Sequence, residues 1–173
     1  MGGRSGFKHS LSGLTPIKGF KELKAILIVT DHDKASSFSE VQEALTVNGH
    51  TPPGVPANLG SVHGKPVAVL LIPSETENGD LEKLCFPEIA RVWPKAEECV
   101  SAFLKCTGAD KWEKKSSANK ARARSATVAF NEAEPYMGIG NLFRKGVLST
   151  DNSCFDPVAD FLRAFDAKVG IGT

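Results

Sequence analysis

Two unbroken apolar runs, KAILIVT (Lys24–Thr30) and PVAVLLIP (Pro66–Pro73), constrain this chain more than any other feature. Both are rich in β-branched residues and free of internal charge. Such runs suit strands buried on both faces, the kind found in parallel sheets. Between them, FSEVQEALTVNG places Phe38, Val41, Leu45 and Val47 on one helical face. Ser37 and Glu40 have the spacing of a capping box, and Asn48-Gly49 supplies a C-terminal stop. Strand, helix, strand with a crossover of this length predicts parallel pairing. The expectation is an α/β fold: an open, mainly parallel sheet flanked by helices on both faces.

Further along, LEKLCFPEIARVW starts a helix that Pro87 is expected to interrupt. Helical patterns resume over Lys95–Cys106 and Ala118–Phe130. A last amphipathic helix spans Phe155–Val169, with Val158, Phe161, Leu162 and Phe165 on one stripe. Residues 1–19 are rich in Gly, Ser and Lys and read as a flexible or truncated lead-in. Residues 20–173 read as one domain, large enough to bury a core without staples.

The net charge is +1 with 24% charged residues, so no global field draws the chain to nucleic acid or an anionic membrane. Any such contact must be local. Cys85, Cys99, Cys106 and Cys154 form no C-x-x-C pair and have no nearby histidine, which argues against zinc. They read as reduced core cysteines of a cytosolic protein. No stretch has the length of a membrane span, and the N-terminus lacks a signal-peptide core. A cytoplasmic location is expected.

Chemistry concentrates where the strands end. Asp31 and Asp33 follow the first run directly, and a two-residue period in extended chain points both the same way. Converging carboxylates repel unless a cation lies between them, and hard oxygen donors suit Mg²⁺ or Mn²⁺. The bland alternative is a solvated Asp31 and a helix-capping Asp33. The second run leads into PSETENGDLEKL, which adds Glu75, Glu77, Asp80 and Glu82. Acids near a helix start also complement the macrodipole. Two parallel strands that both end in acids, however, would share one crevice outside their carboxyl ends. Lys111, Lys114, Lys115, Lys120, Arg122 and Arg124 form a basic stretch, either a solvated face or a local patch for DNA or RNA phosphates. His32 lies between the aspartates and is expected at the surface.

The ordered set IVTDHD, LLIPSETENGDLE, NKARARSATVA and FDPVADFLRAF resembles a Toprim-type domain. The likeness is to a small bacterial group related to the OLD-family nucleases and spans roughly Phe20 to Phe165. It implies a Rossmann-like sheet, Mg²⁺ or Mn²⁺ as cofactor, and phosphodiester hydrolysis by a nuclease. It makes Asp31, Asp33 and Glu82 the metal ligands, with Glu82 also catalytic. Lys120 would contact the scissile phosphate, and Gly79 would allow the turn presenting Glu82. Toprim domains open with a strand ending in Glu-Gly, whereas residues 1–19 contain no acid. A catalytically incomplete binding module, in phage defence for instance, is therefore the second expectation. A phospho-receiver fold is disfavoured because the second run ends in proline and serine. No Ser/His/Asp or Cys/His arrangement of recognisable spacing occurs. GIGNLFRKG (Gly138–Gly146) departs from a dinucleotide fingerprint.

Overall fold

The computed structural model describes residues 11 and 13–170. Its sheet has three strands: β1 (Ile26–Asp31), β2 (Gly60–Val62) and β3 (Lys65–Ile72). Six helices accompany them among the described residues: α1 (Ser37–Val47), α2 (Leu81–Val92), α3 (Ala96–Thr107), α4 (Lys115–Phe130), α5 (Ile139–Arg144) and α6 (Asp156–Val169).

The spatial order is β1-β3-β2. β1 and β3 are parallel, from Ile26 opposite Val67 to Asp31 opposite Ile72. β2 runs antiparallel to β3 through a hairpin in which His63 and Gly64 both take positive φ. The sheet is therefore mixed. β3 is buried along both faces, as its unbroken apolar run predicts. β1 is not. It lies at the edge, and Val29 is 57% exposed. An apolar run reports the apolar neighbours available to a strand but not its place in the sheet order.

Helices cover both faces. Ile28, Val67, Val69 and Leu71 pack on Val41 and Leu45 of α1, joined by Leu11 and Leu14 from the N-terminal segment. Residues 1–10 and 12 of the expected lead-in lie outside the described residues. On the opposite face, Leu70, Ile72 and Leu27 meet Leu84 of α2 and Val158 and Phe161 of α6. A separate helical core joins α2, α3, α4 and α5 around Ile89, Val100, Ala123, Ala126 and Leu142.

Several local expectations change. Ser37 does not make a capping box. Ser36 stands at the N-cap and its hydroxyl donates to Glu40 at 2.9 Å, while Ser37 is wholly buried. Asn48 and a positive-φ Gly49 do close α1. Val47 is 66% exposed, and Ala44 takes the inward position instead. Leu162 of α6 is likewise exposed. Pro87 does not interrupt α2, which runs through it. Proline removes one backbone bond, and the packing of Phe86 and Ile89 on the helical core holds the helix across the gap. Among the cysteines only Cys85 is buried, its thiol pushed up to about 12 by burial and then by its neighbours Cys154 and Glu82. Cys99 and Cys106 are exposed, so they are not core residues. No described helix is long and apolar enough to cross a membrane.

Candidate functional site

The ends of β1 and β3 are fastened by the chain that follows them. The His32 N–H donates to the Ile72 carbonyl at 2.8 Å, and the Gly79 N–H donates to the His32 carbonyl at 2.8 Å. His32 Nδ1 lies 3.0 Å from the Ser74 carbonyl oxygen, which makes it the donor there. His32 is consequently half-buried and structural rather than a surface residue. Gly79 fits because a Cβ would come within 3.0 Å of the Pro73 ring; its backbone is not left-handed. The glycine thus serves close approach, where the sequence suggested a tight turn.

This clasp brings the start of α2 against the end of β1. The Leu81 N–H donates to Asp31 Oδ1 at 3.3 Å. Asp80 caps α2: its Oδ1 accepts from the Lys83 N–H at 3.0 Å and from Asn119 Nδ2 of α4 at 3.1 Å. Asp80 has no exposed surface, and its Oδ2 is buried without a hydrogen-bond partner among the described residues. An orphaned carboxylate oxygen is costly and calls for a donor or cation. Burial pushes the Asp31 carboxyl above the ordinary carboxylate range. The Leu81 N–H and the Lys120 charge oppose that shift, and the like charges of Asp80 and Asp33 reinforce it.

The other expected ligands are placed differently. Asp33 Oδ1 accepts from the Ser37 hydroxyl at 3.4 Å, at the start of α1. Glu82 faces Lys120 across α2 and α4, with Oε2 to Nζ at 3.9 Å. Among the described residues, no three histidine, cysteine or acidic side chains are grouped to hold a metal ion. The expected trio of Asp31, Asp33 and Glu82 is not assembled. Asp31 lies near enough to Asp80, and after it Asp33, for their like charges to act on it. Magnesium commonly takes one or two protein carboxylates and completes its shell with water and substrate phosphate. A carboxylate pair with one unpartnered oxygen fits that requirement.

Lys111, Lys114, Lys115 and Arg124 are exposed and join no ion pair among the described residues. Lys120 alone in the stretch turns toward the acids. Arg122 behaves otherwise: its guanidinium lies 4.0 Å over the Phe86 ring and pairs with Glu97 of α3. Beside the crevice, α2, α4, the loop after β3 and the start of α6 enclose a cavity of about 580 Å³, with Glu82 and Asn119 in its wall.

Sequence reasoning counted Asp80 among the acids but gave it no role of its own, and it missed Asn119. An aspartate just before a helix, three residues ahead of the N–H it caps, was a readable signal. Nothing local marks Asn119, which matters only because α4 crosses α2.

No curated protein and no solved structure matches the chain. The model of the family described as "Protein of unknown function (DUF3226)" matches residues 3–166, and the chain belongs to that family.

Proposed function

We propose that the crevice outside the carboxyl ends of β1 and β3 binds a divalent cation and a phosphodiester. The protein would then be a Toprim-like phosphoryl-transfer domain, a Mg²⁺- or Mn²⁺-dependent nuclease acting on DNA or RNA. The observation that carries this reading is the juxtaposition of Asp31 with the fully buried Asp80, whose Oδ2 has no partner among the described residues. Asp31 and Asp80 would hold the ion, with Asp33 and Glu82 the nearest further carboxylates. Bound there, it would polarise a phosphoryl oxygen and activate water. Lys120, poised over Glu82, supplies a positive charge for a non-bridging oxygen. The exposed lysines at the start of α4 favour anchoring of the flanking backbone.

A second reading is a module that binds cation and nucleic acid without cleaving. It is favoured by the placement of Glu82 against Lys120 and of Asp33 at the start of α1, which gives two of the expected catalytic-centre acids other partners. Cleavage of plasmid DNA and of RNA with Mg²⁺ or Mn²⁺, by wild type and by Asp31→Ala, separates the two. The nuclease reading expects activity in wild type that chelator abolishes and Asp31→Ala lacks. Equal residual cleavage by both proteins removes it. Saturable Mn²⁺ binding that Asp31→Ala weakens, without cleavage, supports the module.

A further inference from the structure

We propose that the cavity between α2 and α4 is a nucleoside pocket. It takes the base and sugar of a nucleotide whose phosphate lies in the Asp31–Asp80 crevice. The inference rests on the phosphate-site reading for its orientation, and four features of the cavity carry the rest.

Position comes first. Glu82 and Asn119 belong both to the crevice and to the cavity wall, so a ligand in one space adjoins the other. Size comes second: about 580 Å³ falls within the range of pockets that enclose small organic ligands.

Charge is the third feature, and it selects the base rather than the phosphate. The wall carries Glu77, Glu82 and Glu97, and each is matched by a cation. Glu77 pairs with Lys83 at 2.8 Å, Glu82 with Lys120 at 3.9 Å, and Glu97 with Arg122. A phosphate entering here would meet three carboxylates whose counter-charges are already engaged. A neutral ring disturbs none of these pairs.

The fourth feature is the pairing of an apolar surface with polar groups, one of which has no partner among the described residues. Phe86, Pro87, Ala90 and Pro157 line the cavity. Pro87 has no N–H, so the Lys83 carbonyl in the same wall lacks its helical donor. Arg122 Nε is buried with no hydrogen-bond partner among the described residues. One wall therefore holds a donor with no partner among the described residues and a backbone carbonyl that Pro87 cannot serve. The edges of nucleobases present donors and acceptors side by side. Arginine planes are also surfaces on which bases stack. A base lodged here is unpaired, so the substrate is a single strand, a chain end or an extruded nucleotide.

The test is saturation-transfer NMR or calorimetry on the full chain with adenosine, guanosine, cytidine and uridine, all in the presence of chelator. At least one nucleoside should bind saturably without metal. Ribose 5-phosphate and inorganic phosphate should not displace it. Ser153→Trp, at the exposed mouth, should weaken binding by about tenfold or more. Ala90→Trp should do the same from within, and Ser153→Trp decides the matter should that variant not fold. Failure of every nucleoside to bind overturns the proposal, as does displacement by inorganic phosphate or undiminished binding by folded Ser153→Trp. Nucleoside binding without cleavage would leave the pocket standing and the nuclease reading fallen; cleavage without nucleoside binding would do the reverse.

Discussion

Glu88 shows how far a single carboxylate can organise its surroundings. Its side chain is wholly buried, yet it accepts from Arg91 Nε and Nη2 at 2.7 Å each, from the Ser149 N–H at 2.7 Å and from Asn152 Nδ2 at 3.2 Å. These bonds tie α2 to the loop before α6. The Arg91 bonds do most to hold its pKa at about 2, with Ser149 and Asn152 adding and burial opposing. A folded value below the ordinary one means that the ionised form is preferred in the fold. Its stabilisation is present above about pH 4.5 and is lost as pH falls toward 2. Urea midpoints should therefore decline over that window, and Glu88→Ala should flatten the decline while costing about 3 kcal/mol. Asp31 has the opposite sign. Its raised pKa means that ionisation in the fold is disfavoured, so stability falls as pH rises through the folded value. Asp31→Asn keeps an oxygen for the Leu81 N–H and removes the charge. In metal-free buffer it should raise the melting temperature by a few degrees, on the order of 1–3 °C. A lower melting temperature would show that the fold favours the ionised carboxylate and would overturn the sign of the shift.

At the scale of elements, the β2–β3 hairpin depends on one close approach. A Cβ at Gly60 would lie 2.3 Å from the Thr51 carbonyl oxygen and 2.6 Å from Pro53 N, both backbone atoms. It would force open the Thr51–Ser61 bridge, whose two bonds are 3.0 and 2.7 Å. Gly60→Ala should cost about 2 kcal/mol or more by urea denaturation, whereas Gly54→Ala, with open space around it, should be nearly neutral. The same hairpin marks where the sequence stops being legible. β1, β3 and their parallel pairing follow from the unbroken apolar runs, and the bodies of α1, α3 and α6 from helical periodicity. Three residues of β2 carry no such signal. α5 is too short for a periodic stripe, and Pro87 advertises a break that tertiary packing overrides. In the crevice, Asp31 was readable because a strand ran straight into it. Asp80 and Asn119 acquire their roles only once α2 and α4 cross, and Asp33 and Glu82 find their partners on α1 and α4 rather than one another.

For the whole molecule, a net charge of +1 means that nucleic acid would be held by a few local contacts, not by a general field. In the basic stretch, Lys111, Lys114, Lys115 and Arg124 are exposed and join no ion pair among the described residues. Binding of a single-stranded oligonucleotide should therefore depend on salt with a logarithmic slope of roughly −2 to −4. Replacing Lys114 and Lys115 together by glutamate should lower that slope's magnitude by about 1.4 and leave the melting temperature little changed. A slope near zero would place the nucleic acid elsewhere or nowhere. The position of β1 has a consequence for motion. No described strand pairs with its outer flank, although it carries Asp31 at its tip. Deuterium uptake should alternate along Ile26–Asp31, slow where amides face β3 and fast where they face outward. The carboxylate at the centre of the crevice thus rides on an outer rib of the sheet. Any molecule that seats itself there should be read first as a slowing of exchange along that rib.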